Sequence, residues 1–134
     1  MAMALPVLAS TNVRSFGSFL AGCSAAGAKD APQAAAETAK AIAVWKELGF
    51  RFDCITTGFL ASAAQVGIIR DFISSQKKEG LLVMTDPIMG DEGKLYNGVS
   101  RETVDNMRRL IGVADVIVPN LTEAEFLTGL YQGR

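Results

Sequence analysis

The chain reads as an α/β protein built on a parallel sheet, and three features of the sequence predict it. From about residue 34 onward, apolar runs of strand length alternate with stretches of helical period. Each strand-like run ends at a proline or a threonine-glycine pair, and each helical stretch carries a cap residue. The spacing between runs suits right-handed βαβ crossovers, which place helices on the sheet faces and gather the strand C-termini along one edge.

Taken in order, residues 1–33 form a poorly defined N-terminal segment. Leu5–Ser10 has strand character and leads to a polar turn at Ser10-Thr11-Asn12. The Gly-, Ala- and Ser-rich stretch beyond it reads as a flexible loop or lid, because neither the G-x-G-x-x-G nor the Walker spacing occurs there. Residues 34–134 carry the alternating pattern. Ala34–Leu48 predicts a helix with Ala41, Ile42, Trp45 and Leu48 on its inner face and Gly49 as C-cap. Phe52–Thr57 predicts a strand. Ser62 and Gln65 form a capping-box pattern that opens a helix to about Lys78, with Val66, Ile69, Phe72 and Ile73 inward. Gly80–Thr85 reads as a strand buried on both faces, stopped at Asp86-Pro87. A loop from Gly90 to Val99 follows, with Gly90 making the turn that returns Asp91 towards Asp86. Ser100 caps a helix over Arg101–Ile111 that turns Met107, Leu110 and Ile111 inward. Asp115–Val118 is a short strand, and Thr122 with Glu125 caps the last helix.

Composition narrows the chemistry. The 134 residues are 49% hydrophobic with a net charge of −1, enough for one core and without the basic stripe that nucleic acid requires. No run approaches membrane-spanning length, and the apolar start lacks the positive charge of a signal peptide, so a cytoplasmic protein with no membrane partner is expected. There is no histidine, so acid–base or metal work falls to carboxylates. Cys23 and Cys54 are isolated and suggest neither zinc nor a disulfide.

The strand ends therefore matter most. In such a sheet Thr57-Gly58-Phe59, Asp86–Asp91 and Asn120–Glu123 converge on one edge, where ligands bind. Asn120–Glu123 opens a helix whose dipole and free amides favour an anion, although Glu123 can simply serve that dipole. With phosphates bound, Asp86, Asp91 and Glu123 form a candidate Mg²⁺ set, Lys94 can neutralise charge and Tyr96 can cover the site.

Asp86-Pro87-Ile88-Met89-Gly90-Asp91, Gly93-Lys94-Leu95-Tyr96 and Pro119-Asn120-Leu121-Thr122-Glu123-Ala124, in that order, resemble the pyridoxal kinase family. That family is a branch of the ribokinase-like superfamily, and the resemblance covers about residues 34–131. It implies a three-layer fold with a mostly parallel sheet flanked by helices, here incomplete. It also implies transfer of the ATP γ-phosphate to the 5′-hydroxyl of pyridoxal, pyridoxine or pyridoxamine, in a homodimer that uses Mg²⁺ and a monovalent cation such as K⁺. By the same resemblance Asp86, Asp91, Tyr96, Asn120 and Glu123 bind ATP or its phosphates, with Asp86, Asp91 and Glu123 around the metal. Ser10, Asn12, Thr57, Gly58 and Phe59 bind the vitamer.

The sequence departs from the family in three places. Phe59 stands where tyrosine is usual, and Ser10-Thr11-Asn12-Val13 replaces a Ser-Thr-His-Thr-like segment. No Gly-x-Gly-Asp, the family's source of catalytic base and anion hole, occurs. Residues 34–134 are thus expected to be the central βαβ part of a kinase domain whose C-terminal ATP-binding part is absent, inactive as it stands. The alternatives are a hydroxymethylpyrimidine kinase of the same superfamily and a non-catalytic ligand-binding remnant.

Overall fold

The computed structural model describes residues 2–10, 16–24, 31–77 and 80–130, the first two stretches as backbone. Strands β1 (Ala2–Ser10), β2 (Phe16–Ser24), β3 (Cys54–Thr57) and β4 (Leu82–Thr85) join β7 (Val116–Ile117) in one sheet, in the order β2-β1-β3-β4-β7. Strands β5 (Gly90–Asp91) and β6 (Lys94–Leu95) form a separate hairpin. The helices are α1 (Ala31–Glu47), α2 (Ala63–Gln76), α3 (Arg101–Ile111) and α4 (Leu121–Thr128).

The predicted parallel arrangement holds for β3, β4 and β7, which are joined through α2 and α3. The sheet as a whole is mixed, because β1 runs antiparallel to both β2 and β3. The stretch expected to be a flexible loop contains β2, in register with β1 from Ala2↔Ser24 to Ser10↔Phe16. Gly17 and Gly22 lie inside that strand, where backbone pairing overrides their low strand propensity.

Helix cover is one-sided among the described residues. Along β3 and β4 the side chains alternate, Ile55, Thr57, Val83 and Thr85 buried and Cys54, Thr56, Leu82 and Met84 more open. The prediction of a strand buried on both faces therefore fails for β4, whose Leu82 is 43% exposed. The buried face packs on Val66, Ile69, Phe72 and Ile73 of α2 and on Val104, Met107 and Leu110 of α3. Ile111 is only half-buried. Of the four residues predicted inward on α1, Ile42 is buried and Ala41 and Trp45 partly so. Leu48 is 61% exposed, because the helix ends at Glu47 and the chain turns away.

That turn is a Schellman motif. Phe50 N–H bonds Trp45 O at 2.9 Å and Gly49 N–H bonds Lys46 O at 3.1 Å, with Gly49 at φ +71°. It directs Phe52 under the sheet, where its ring meets those of Trp45 (5.3 Å) and Phe72 (5.7 Å) edge-on. The capping pattern at α2 is realised with a shift. Ser62 Oγ accepts from Gln65 N–H, but Gln65 Oε1 accepts from Ala61 N–H, one residue ahead of the cap. Gln65 then donates through Nε2 to Thr38 Oγ1, which ties α2 to α1.

Burial ranks these side chains. Phe72→Ala is expected to cost about 3–5 kcal/mol in urea unfolding, and Leu48→Ala less than about 0.5 kcal/mol. Similar losses for the two would contradict this packing.

Candidate functional site

Three strand ends meet at the C-terminal edge of the parallel strands. β3 and β4 pair in register, Thr57 beside Thr85, and their hydroxyls bond at 2.9 Å inside the core. Thr85 was not singled out from sequence; its place at the end of an apolar run, paired with another threonine, is the signal. Asp86 N–H continues the ladder onto Thr57 O at 2.9 Å, and Val118 N–H bonds Thr85 O at 3.0 Å. Asp115 fixes β7 from its other end, accepting Val83 N–H on Oδ2 at 2.8 Å while its own N–H bonds Val83 O. The expected convergence of Thr57-Gly58-Phe59, Asp86–Asp91 and Asn120–Glu123 is what the ladder produces.

Beyond Asp86 the chain leaves the sheet as proline requires. Ile88 N–H bonds Asp86 O at 2.9 Å across Pro87, a γ-turn shape that a proline φ favours. Gly90–Leu95 is then a hairpin, where sequence reasoning expected a loop. Glu92 (φ +50°) and Gly93 (φ +79°) are its two central residues, the signature of a type I′ turn. Gly90 does not make the turn. It is needed because a Cβ there would collide with the Lys94 carbonyl oxygen of the facing strand.

The hairpin is held by the start of α4 through three side chains. Asn120 Nδ2 donates to Gly90 O at 2.9 Å, Gly93 N–H donates to Thr122 Oγ1 at 2.8 Å, and Met89 N–H donates to Glu123 Oε1 at 3.1 Å. Asn120 and Glu123 also cap α4 reciprocally, Glu123 N–H to Asn120 Oδ1 and Asn120 N–H to Glu123 Oε2, both at 2.9 Å. The box is therefore Asn120/Glu123 and not Thr122/Glu125. Thr122 faces the hairpin instead.

This changes the part assigned to Glu123. It is 3% exposed and both its carboxylate oxygens accept backbone N–H groups, which is how a buried carboxylate is made tolerable. Among the described residues no three Asp, Glu, Cys or His side chains come close enough to hold a metal ion by themselves, so an ion at Asp86, Asp91 and Glu123 would need the bound phosphates that the expectation included. They do share one neighbourhood. The Tyr96 phenol is raised above its ordinary pKa by partial burial and by the Asp91, Glu123 and Asp86 carboxylates. Asp91 is exposed and accepts Glu92 N–H at 2.8 Å. Asp86 is half-buried, no donor among the described residues reaches its carboxyl, and burial raises its pKa. Mg²⁺ commonly takes one or two carboxylates with water and substrate phosphate. Asp86 and Asp91 fit that role, and Glu123 fits that of the scaffold behind them.

The remaining expected residues divide. Thr57 and Gly58 are buried at the edge, with Phe59 half-buried beside them. Ser10 pairs with Cys54, at the start of β3 and so at the opposite end of that strand from the site. Its predicted contact with substrate is not supported, because the antiparallel run of β1 carries it away. Asn12 lies outside the described residues. Next to the site, Asp91, Glu92, Lys94, Leu95, Tyr96 and Asn97 line an open pocket of about 290 Å³. No helix among the described residues is long and apolar enough to cross a membrane.

Comparison with known proteins gives a consistent picture. The phosphomethylpyrimidine kinase family matches residues 23–133. A structure from Bacteroides thetaiotaomicron described as a phosphomethylpyrimidine kinase, in a crystal form with pyridoxal, is 37% identical with a TM-score of 0.68, over 92% of this chain and 39% of that one. Pyridoxal kinase from Lactobacillus plantarum is 37% identical with a TM-score of 0.65, over 71% of this chain and 34% of its own. Pyridoxal kinase from Arabidopsis thaliana is 38% identical over 57% of this chain and 25% of its own length. The chain thus spans about a quarter of the curated relatives it matches.

The half-buried Asp86 carboxyl, which no donor among the described residues reaches, has a measurable consequence. Its folded-state pKa lies above the unfolded one, so folding takes up a proton in the window between them and Asp86 weakens the fold as pH rises through it. Asp86→Asn is expected to raise the urea midpoint at pH 7, with the gain shrinking as pH falls through that window. A variant destabilised at neutral pH would contradict this burial cost at Asp86.

Proposed function

The chain belongs to the phosphomethylpyrimidine kinase family, and from that premise we propose that it serves transfer of the ATP γ-phosphate to the 5′-hydroxyl of a B6 vitamer. The observation that carries the reading is the meeting of Asp86, Asp91 and the α4 N-terminus at one sheet edge, with the Thr57-Gly58-Phe59 strand end alongside. A phosphoryl-transfer site needs positioned charge more than a protein nucleophile, which suits a chain without histidine.

Each element has a part on this reading. Leu121 and Thr122, in the first turn of α4, direct backbone N–H groups outward, where the helix dipole favours phosphate oxygens. Asp86 and Asp91 both act on the Tyr96 phenol, and on this reading they would hold Mg²⁺ against the phosphates. Such an ion supplies neutralisation of charge on the transferring group. Tyr96, raised above the ordinary phenol range, stays protonated and can donate a hydrogen bond from the hairpin. Lys94, exposed on β6 opposite Asp91, adds positive charge over the nearby pocket. Phe59 offers a ring face to the acceptor beside the buried Thr57 and Gly58.

What supports pyridoxal over the hydroxymethylpyrimidine acceptor is the Gly90-Asp91 and Gly93-Lys94-Leu95-Tyr96 hairpin, the pyridoxal kinase names of two relatives and the pyridoxal held by the Bacteroides structure. A cytoplasmic homodimer remains part of the same proposal. The catalytic base and anion hole are assigned to sequence beyond these residues, since no Gly-x-Gly-Asp is present.

The test is an ATP-dependent phosphorylation assay on the 134-residue chain and on its coding sequence extended past Arg134, each beside Asp86→Asn. Pyridoxal and hydroxymethylpyrimidine are offered separately as acceptors. Pyridoxal phosphorylation by the extended chain alone is expected, with a loss of about 100-fold in Asp86→Asn. Preference for the pyrimidine would reassign the acceptor. Transfer to neither acceptor by the extended chain would sink the kinase reading.

A further inference from the structure

Helix α4 is eight residues long, too short to be stable by itself, and only Thr122 and Glu123 of it are fully buried. Its first turn nevertheless sets the hairpin, so something must fix its seating. The last four carbonyls of a helix have no intrahelical partner. The last turn of α4 runs from Glu125 to Thr128. Thr128 Oγ1 donates to Ala124 O at 2.8 Å, and the Phe126 and Leu127 carbonyls each accept from one side chain of another helix. Arg108 of α3 donates from Nη2 to Phe126 O at 2.7 Å and from Nε to Leu127 O at 3.0 Å. Its Nη1 meets Asp105 Oδ1 at 3.0 Å, which orients the guanidinium.

We propose that Arg108 is a positioning residue for the candidate site, acting through α4 and touching neither phosphate nor cation. The guanidinium fork holds the C-terminal end of α4 to α3, and the helix carries that constraint to Asn120, Thr122 and Glu123. Those three hold Gly90, Gly93 and Met89. An arginine suits the post because its planar fork serves two carbonyls and a carboxylate at once, and because a cation favours a helix C-terminus. The exposed ion pair to Asp105 contributes little by itself. The carbonyl bonds carry the effect.

The inference rests on the kinase reading only for the word site; the coupling is tested without turnover. Amide hydrogen exchange is followed by NMR in the 134-residue chain and in Arg108→Met, Arg108→Lys and Asp105→Asn. Methionine keeps the apolar stem and removes the donors. Faster exchange of about tenfold at the Met89 and Gly93 amides, with Val83 in β4 unchanged, is the expected result for Arg108→Met. Arg108→Lys should fall between that and the parent chain, and Asp105→Asn should match the parent. If Arg108→Met does not fold, the lysine variant supplies the comparison. Acceleration confined to residues 126–130 would overturn the proposal, since the helix end would then fray without reaching the hairpin. Equal acceleration at Val83 would also overturn it, because Arg108 would then support the fold as a whole.

Discussion

The site depends on the grip of Asn120, Thr122 and Glu123 on the backbone of the hairpin. A strand that ends at Asp86-Pro87 has no ladder left to guide it, and the following residues would otherwise be free to wander. Three hydrogen bonds from one helical turn replace that ladder, on Met89, Gly90 and Gly93. The same side chains cap the helix that carries them, so helix start and hairpin hold each other in place. The carboxylate of Glu123 is the costliest member to bury, and it is also the most fully bonded.

This arrangement separates two kinds of acid that look alike in sequence. Glu123 is committed to backbone amides and shapes the site from behind. Asp86 is half-buried, no donor among the described residues reaches its carboxyl and its pKa is raised, a less comfortable state. Strain of that kind is expected where a group waits for a ligand. Asp91 is exposed to solvent, and the Tyr96 phenol lies within the field of all three acids.

Much of the fold was legible because burial is periodic. The inward residues of α2 and the bounds of α3 follow directly from apolar spacing, and Gly49 announces the end of α1. The sequence misled where contacts are non-local or made by backbone. Leu48 continues the helical period but lies within a Schellman turn, just beyond the helix end, so it meets solvent. A two-residue I′ turn written Glu92-Gly93 lacks the Asn-Gly signal by which such hairpins are recognised. Thr122 and Glu125 match the capping-box spacing, yet Asn120 and Glu123 form the box, and only the hairpin's position decides between them. Ser10 was assigned by likeness alone, and the antiparallel register of β1 places it at the wrong end of β3. The convergence of the three strand ends was legible from topology, while the division of labour among the acids was not.

The central claim is that this clamped edge receives phosphate. Its most direct test is chemical-shift mapping of the ¹⁵N-labelled chain titrated with Mg²⁺ and ADP, in the parent and in Asn120→Ala. The account predicts shifts at Gly58, along Asp86–Tyr96 and at Leu121–Glu123, with those on the hairpin lost or weakened in the variant. Shifts centred on the open face around Leu82 and Val116, or a hairpin response unchanged by Asn120→Ala, would contradict it.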